Sequence, residues 1–302
     1  MGDEKYCYPN SNVLKNKYGL TNLVALEQIE RKSSSLAIVQ LQSDVIKGNF
    51  DLKHLQSIHK AIFSDIYDWA GKIRTVDIAK SNLFCRVQFL DSYSQDIFGR
   101  LKKQDNFLLG LPKQQAIKKL AEYMGDINAL HPFREGNGRT QREFIKYLSK
   151  VTGIELHMDK VTSDRMMDAS LKSFNTDYSG FEQIFNEIAK PMTLEEQESF
   201  IKSISRQVYK EFKELKQQLL LPDRQLEFME EQKQYEQQKE STKENIQDGR
   251  TVDNSVENKP KTKQMNMSDY MAEIAKAKEA NKNQPSQQQQ QKVKDKKEKT
   301  DR

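Results

Sequence analysis

Two cysteines, Cys7 and Cys85, are all that this 302-residue chain contains, and they stand far apart with no CxxC pair. That excludes a disulfide framework and a cysteine zinc site, and it fits a reducing compartment. Long apolar runs are absent too. None approaches the roughly 20 residues a helix needs to cross a bilayer, so no membrane insertion is expected. The opening MGDEKYCYPNSN lacks the apolar centre of a secretory signal, and Tyr6 stands where a myristoylation pattern wants Ser or Thr. Neither GxxxxGK[ST] nor HExxH occurs. His54 and His59 are five residues apart, about 140° round a helix, so they make no metal pair and are expected in packing or at the surface. The net charge of +5 is too mild to argue for nucleic acid, which is not an expected partner.

With 36% hydrophobic and 31% charged residues, the chain is too polar to fold throughout, and its composition divides it. Residues 1–191 read as one mainly helical domain. Stretches over 22–48 and 51–65, the second capped by Asp51, are followed by one from Asp91 to Gly110 and one opened by Pro112. A further helix ends at Gly153, and one or two more fill 159–189. The exception is TVDIAKSNLFCRVQF, residues 75–89, whose β-branched and aromatic residues flank a turn-prone Lys80-Ser81-Asn82 and predict a short β-hairpin. Residues 192–230 carry an apolar stripe at Phe200, Ile204, Val208, Phe212, Leu215 and Leu219, an amphipathic helical extension. Residues 231–302, with a Gln run at 287–291 and the charged end KVKDKKEKTDR, form a low-complexity tail expected to be mostly disordered, save an island at 268–280 with helical character.

Chemistry concentrates in ALHPFREGNGRTQREF, residues 129–144. Pro132 disfavours α geometry at His131, so the preceding helix should end near Leu130 with His131 extended on a loop. Gly136-Asn137-Gly138 permits a tight turn into a new helix, whose first N–H groups make an anion site. Arg139 and Arg142, three apart, can reach one side of that first turn. Glu135 would repel phosphates unless a cation lay between, and Mg²⁺ commonly bridges one or two carboxylates to substrate phosphates. Singly, each of these residues has an ordinary structural explanation. In this order, between two helices, they describe a nucleotide–Mg²⁺ site with a histidine beside it.

HPFREGNGRTQR resembles the signature of the Fic (filamentation induced by cAMP) domain family, His-Pro-Phe-x-[Asp/Glu]-Gly-Asn-Gly-Arg-x-x-Arg, at every specified position from His131 to Arg142. IHKAIFSDIYDWAGKIRTVDI, residues 58–78, is similar to a second region of that family, and the resemblance covers roughly residues 10–190. It implies an all-α Fic fold with a β-hairpin flap and an enzyme that moves AMP from ATP to a Ser, Thr or Tyr hydroxyl of a target protein, releasing pyrophosphate. In that scheme His131 is the general base, Phe133 packs inward, and Glu135 ligates Mg²⁺. Gly136, Asn137 and Gly138 form the anion hole, with the Asn137 side chain facing the phosphates, while Arg139 and Arg142 neutralise the β- and γ-phosphates. The flap would pair with an extended target segment, with Lys80 and Phe84 facing target or nucleotide; for Phe84, packing on the core is an equal expectation. Family variants with altered glycines phosphorylate instead, and others move UMP or phosphocholine; the intact Gly136 and Gly138 favour AMP.

Many relatives restrain themselves with [Ser/Thr]-x-x-x-Glu-[Gly/Asn]. Here Glu-Asn occurs at 244–245 and 257–258, with Glu240 and Asp253 at the Ser/Thr position. A separate small antitoxin-like protein supplying a glutamate to Arg142 is therefore expected. The setting would be bacterial, as a cytoplasmic toxin or an effector delivered into another cell. The competing readings are a Fic-fold phosphotransferase or other nucleotidyltransferase, and a non-catalytic binding protein whose basic tail serves nucleic-acid contact or export.

Overall fold

The computed structural model describes residues 4–79 and 84–219. Lys80, at the expected flap turn, and the expected tail with its helical island lie outside the described residues.

Each helix begins and ends where local chemistry changes. Helix α1 (Leu23–Ser43) starts at Asn22, whose side chain accepts from the Ala25 N–H. Helix α2 (Leu52–Phe63) starts at Asp51, which caps the His54 N–H. Helix α3 (Leu90–Lys103) grows out of a 3-10 turn at Val87–Phe89, so Asp91 sits within its first turn rather than capping it. Helix α4 (Lys113–Leu130) follows Pro112, and helix α5 (Asn137–Val151) follows Gly136. These two carry ten buried residues each and form the centre of the core. Phe144, Ile145 and Leu148 on α5 and Leu120, Met124 and Ile127 on α4 are all at most 1% exposed.

After α5 the chain turns at Gly153 (φ 76°) into β1 (Ile154–Leu156). Helices α6 (Ser163–Ser173) and α7 (Ser179–Ile188) follow, then β2 (Ala189–Pro191), which pairs antiparallel with β1 and sets Ile154 opposite Pro191. This is the only two-stranded ladder among the described residues, and it lies outside 75–89. Around the flap, Ala79 makes a single β-bridge and Arg86 is extended. Val87 to Phe89, expected as strand, turns helical because the Asp77 carboxylate caps the Val87 N–H at 2.7 Å and starts the chain into α3.

The apolar stripe after Pro191 forms two helices instead of one. Helix α8 (Leu194–Ile204) opens with a capping box between Thr193 and Glu196. Ser205, in β geometry, ends it, and α9 (Arg206–Leu219) follows. The break lets both apolar faces reach the core: Ile201, Ile204 and Val208 are buried, and Leu215 packs against Gly110. Residues through Lys216 belong to one compact unit. Ile204→Ala should lower the unfolding free energy by about 3 kcal/mol in urea denaturation, since it removes a buried branched side chain and leaves a cavity; a loss near zero would show that α8 is not part of the cooperative unit.

Candidate active site

The turn between α4 and α5 is built by three commitments. First, His131 ends α4 in left-handed geometry (φ 46°, ψ 58°), its N–H bonded to the Ile127 carbonyl. Pro132 does keep it out of the right-handed helix, but the chain leaves by a left-handed cap rather than the expected extended one, and that reversal aims the ring back over the helix end. Second, Gly136 (φ 81°) starts α5 and a Cβ there would lie 2.3 Å from the Phe63 ring, so glycine is required by conformation and by space. Third, the Asn137 side chain closes the loop: Oδ1 accepts from the Phe133 N–H at 2.9 Å and Nδ2 donates to the Phe133 carbonyl at 2.7 Å. That amide is buried and lines the cavity while the backbone of the loop engages both of its ends.

Beside this turn lies a cavity of about 400 Å³. Its α4–α5 wall holds His131, Glu135, Asn137, Gly138, Gln141 and Arg142; its other wall sets apolar Met158, Val161, Met166 and Leu171 among polar Asp159, Thr162, Ser163 and Ser170, with Phe84 and Phe174 at one side. A Cβ on Gly138 would meet only the Arg142 guanidinium, at 3.3 Å, so this glycine is not demanded by packing and instead leaves the wall bare. The first amides of α5 precede its first backbone bond, made by Thr140 N–H to the Gly136 carbonyl, and the helix start offers them to an anion. Gly136 N–H, expected among these donors, is taken by Glu135 Oε1 at 2.8 Å.

His131 Nδ1 lies 3.2 Å from the Asn128 carbonyl. A carbonyl only accepts, so Nδ1 carries the proton and Nε2 is the ring's acceptor. Phe84 stacks on the imidazole at 3.6 Å and is itself buried, so it covers the histidine rather than projecting from the flap.

The two arginines part company. Arg142 lines the cavity; burial pushes its guanidinium down from the ordinary arginine range, and no salt bridge to it is made among the described residues. Arg139 points away towards α1, bonding Glu30 at 2.5 Å and Ser34 at 3.0 Å, with its guanidinium over the Phe63 ring and Glu135 at 3.5 Å. Tyr67 O–H donates to the other Glu30 oxygen. The shared face expected from their three-residue spacing is lost because Glu30 holds Arg139 on the far side.

Sequence reading missed two supports. Gln141, with its Oε1 buried and unpartnered, is one of the three unspecified motif positions and gave no signal. His59, expected in packing or at the surface, is buried under the loop and stacks on Phe133 at 3.9 Å. Its Nε2–H donates to the Glu135 carbonyl at 2.9 Å, and Nδ1 accepts from the Gly71 N–H at 2.8 Å.

Residues 49–149 match the Fic/DOC family profile. The protein adenylyltransferase VbhT of Bartonella schoenbuchensis is 39% identical over 173 residues, 57% of this chain but only 36% of VbhT, so the chain spans about a third of that relative. The Sinorhizobium fredii protein y4lH, named for the same activity, is 31% identical over 176 residues, 58% of this chain and 90% of that one. Among solved structures, the N-terminal Fic domain of a VirB-translocated Bep effector protein from Bartonella quintana, with bound ADP, is 26% identical with a TM-score of 0.61, covering 67% of this chain and all of that one.

Burial pulls His59 down to about 4 from 6.5, opposed by its bond to the Glu135 carbonyl and aided by the Arg139 charge. The unfolded chain therefore binds the proton first: stability is full above about pH 6.5 and is lost as pH falls towards 4. Burial lowers His54 in the same direction, so the test is a difference. Urea titrations between pH 4 and 7 should show His59→Phe losing roughly 3 kcal/mol of the wild-type dependence; equal slopes would place the His59 proton elsewhere. With its fold, its motif and its matches agreeing, this chain belongs to the Fic/DOC family.

Proposed function

We propose that this protein is an adenylyltransferase that moves AMP from ATP to a hydroxyl of a target protein. The observation that carries the reading is His131: with Nδ1 held as donor to the Asn128 carbonyl, its ring lines the same cavity as the α5 start and Arg142. The activity for which VbhT and y4lH are named, and the ADP in the Bartonella quintana domain, support it.

In the reaction the target oxygen attacks the α-phosphorus, and its proton passes to His131 Nε2. The bond from the α-phosphorus to its bridging oxygen breaks, and pyrophosphate leaves carrying the electron pair. Gly138 and its neighbouring amides face the phosphates, and Arg142 neutralises the departing charge. Positioning and fixed charge do most of the work in such transfers. Arg139 acts indirectly, tying α5 to α1 through Glu30. The mixed wall from Met158 to Phe174 suits the nucleoside, with Met158, Val161, Met166 and Leu171 for the base and polar groups beside them.

Glu135 and Asp159 are the carboxylates of the cavity wall, and no group of three metal-binding side chains occurs among the described residues. That fits Mg²⁺, which takes one or two carboxylates and completes its shell with phosphate oxygens and water. When bound, the ion neutralises phosphate charge next to Glu135. Arg142, half-buried in the cavity wall and without a described salt bridge, suits an acidic side chain from a separate small antitoxin. The flap around Phe84 would hold an extended target segment, a role that Lys80 would share. We further propose that the chain acts as a bacterial toxin or a delivered effector, the second in line with the Bartonella quintana protein. The division into a Fic domain at 1–191, an extension at 192–230 and a polar tail at 231–302 belongs to the same reading. No described helix is long and apolar enough to cross a membrane.

With Mg²⁺, cell lysate and ATP labelled at either the α- or the γ-phosphate, protein-bound label should come from the α position alone. His131→Ala should reduce it by roughly 100-fold or more. Label from γ alone would establish the phosphotransferase instead.

A further inference from the structure

Arg74 is 1% exposed and lies on the loop between α2 and the flap. Its guanidinium spends each nitrogen on a different backbone carbonyl. Nε donates to His131 at 2.8 Å, Nη1 to Val76 at 2.8 Å, and Nη2 to Cys85. Val76 and Cys85 lie on opposite arms of the flap, and His131 belongs to the turn between α4 and α5. Two backbone bonds run parallel to these: Arg74 N–H to the Pro132 carbonyl and Cys85 N–H to the Ala129 carbonyl, both at 2.9 Å. Asp77 is 3.8 Å from Nη1 and also caps Val87 N–H, so the nearest carboxylate is on the flap rather than on the turn. A planar fork of five N–H groups can serve three carbonyls at once in a fixed geometry; an ammonium on a flexible stem cannot.

We propose that Arg74 is a positioning residue that sets the flap and His131 in register, so that the flap arms and the turn bearing the base move as one body. This rests on the transfer reading for its kinetic consequence and on geometry alone for its structural one. Arg74 touches neither the ring of His131 nor the cavity. It fixes the carbonyl of the residue whose left-handed backbone aims the ring, and the carbonyl next to Phe84, whose ring lies on that imidazole at 3.6 Å. Losing the clamp would release Phe84 and His131 from each other while leaving the core helices in place. A bare cation is also a poor exchange: three buried carbonyls would share fewer donors, and an unsatisfied one is costly.

Arg74→Lys keeps the charge and removes the fork. In proton NMR the His131 ring protons of the wild type should be shifted upfield by the overlying Phe84 ring, and four histidines make assignment tractable. In Arg74→Lys that upfield shift should be lost while the helical circular dichroism is kept. In the label-transfer assay kcat should fall roughly 10- to 100-fold, as for a base displaced by about 1 Å, with the KM for ATP changed by less than about twofold. An unshifted His131 signal with unchanged kcat would overturn the proposal. Wild-type hydrogen exchange tests it without any substitution. The Arg74 and Cys85 amides, which bond the turn from either side of the flap, should open with one common protection factor, and clearly different factors would overturn it. The NMR and exchange readings stand whether or not AMP is the transferred group, so failure of the transfer reading would show separately.

Discussion

The exchange of two hydrogen bonds between one side chain and the backbone of one residue holds this site together. Asn137 accepts from Phe133 N–H and donates to the Phe133 carbonyl, so the five residues from 133 to 137 close into a turn. Everything else depends on that closure. Phe133 is driven into the core beneath the turn, His59 stacks on it, and Gly136 is pressed against Phe63 where no Cβ fits. The start of α5, and with it the anion-facing amides, is placed by the same clasp. The side chain expected to meet the phosphates is therefore also the frame of the turn that carries the other expected contacts.

Much of this was legible from the order of residue types. Helix α5 starts at Asn137, inside the Gly136-Asn137-Gly138 turn expected to precede it, but the end of α4 at Leu130, the cap at Asp51 and the role of Pro112 all follow from local chemistry that tertiary structure did not override. So did the placing of His131, Glu135, Gly138 and Arg142 about one cavity. What escaped depended on partners distant in sequence. Arg139 looked equivalent to Arg142 until Glu30, 109 residues earlier, claimed it. His59 resembled an ordinary core histidine because its partner is the Glu135 backbone, and backbone carbonyls leave no trace in composition. Residues 75–89 have strand-like composition, yet Asp77 caps Val87 and turns the second arm helical, a side-chain bond that propensity does not weigh. The apolar stripe after Pro191 was plain; its break at Ser205 was not, since the periodicity runs through it.

A common logic joins these supports. The groups that hold the turn are kept uncharged or internally neutralised: His59 is neutral, Asn137 is an amide, and Arg139 is met by Glu30. Arg142 alone presents a half-buried guanidinium to the cavity without a described salt bridge. Scaffold charge is spent inside the protein, and functional charge is left for what enters. A partly desolvated cation without an ion pair is costly to maintain, which is the expected signature of a site completed by an anion.

A crystal structure of the chain with Mg²⁺ and a non-hydrolysable ATP analogue tests this account most directly. It predicts phosphates on the first amides of α5 and on Arg142, the α-phosphorus facing His131 Nε2, and Arg139 still bonded to Glu30. The 131–137 backbone should shift by less than about 1 Å, because a preformed site moves little on binding. Nucleotide bound away from the α5 start, or a turn that has to open before it binds, would contradict it.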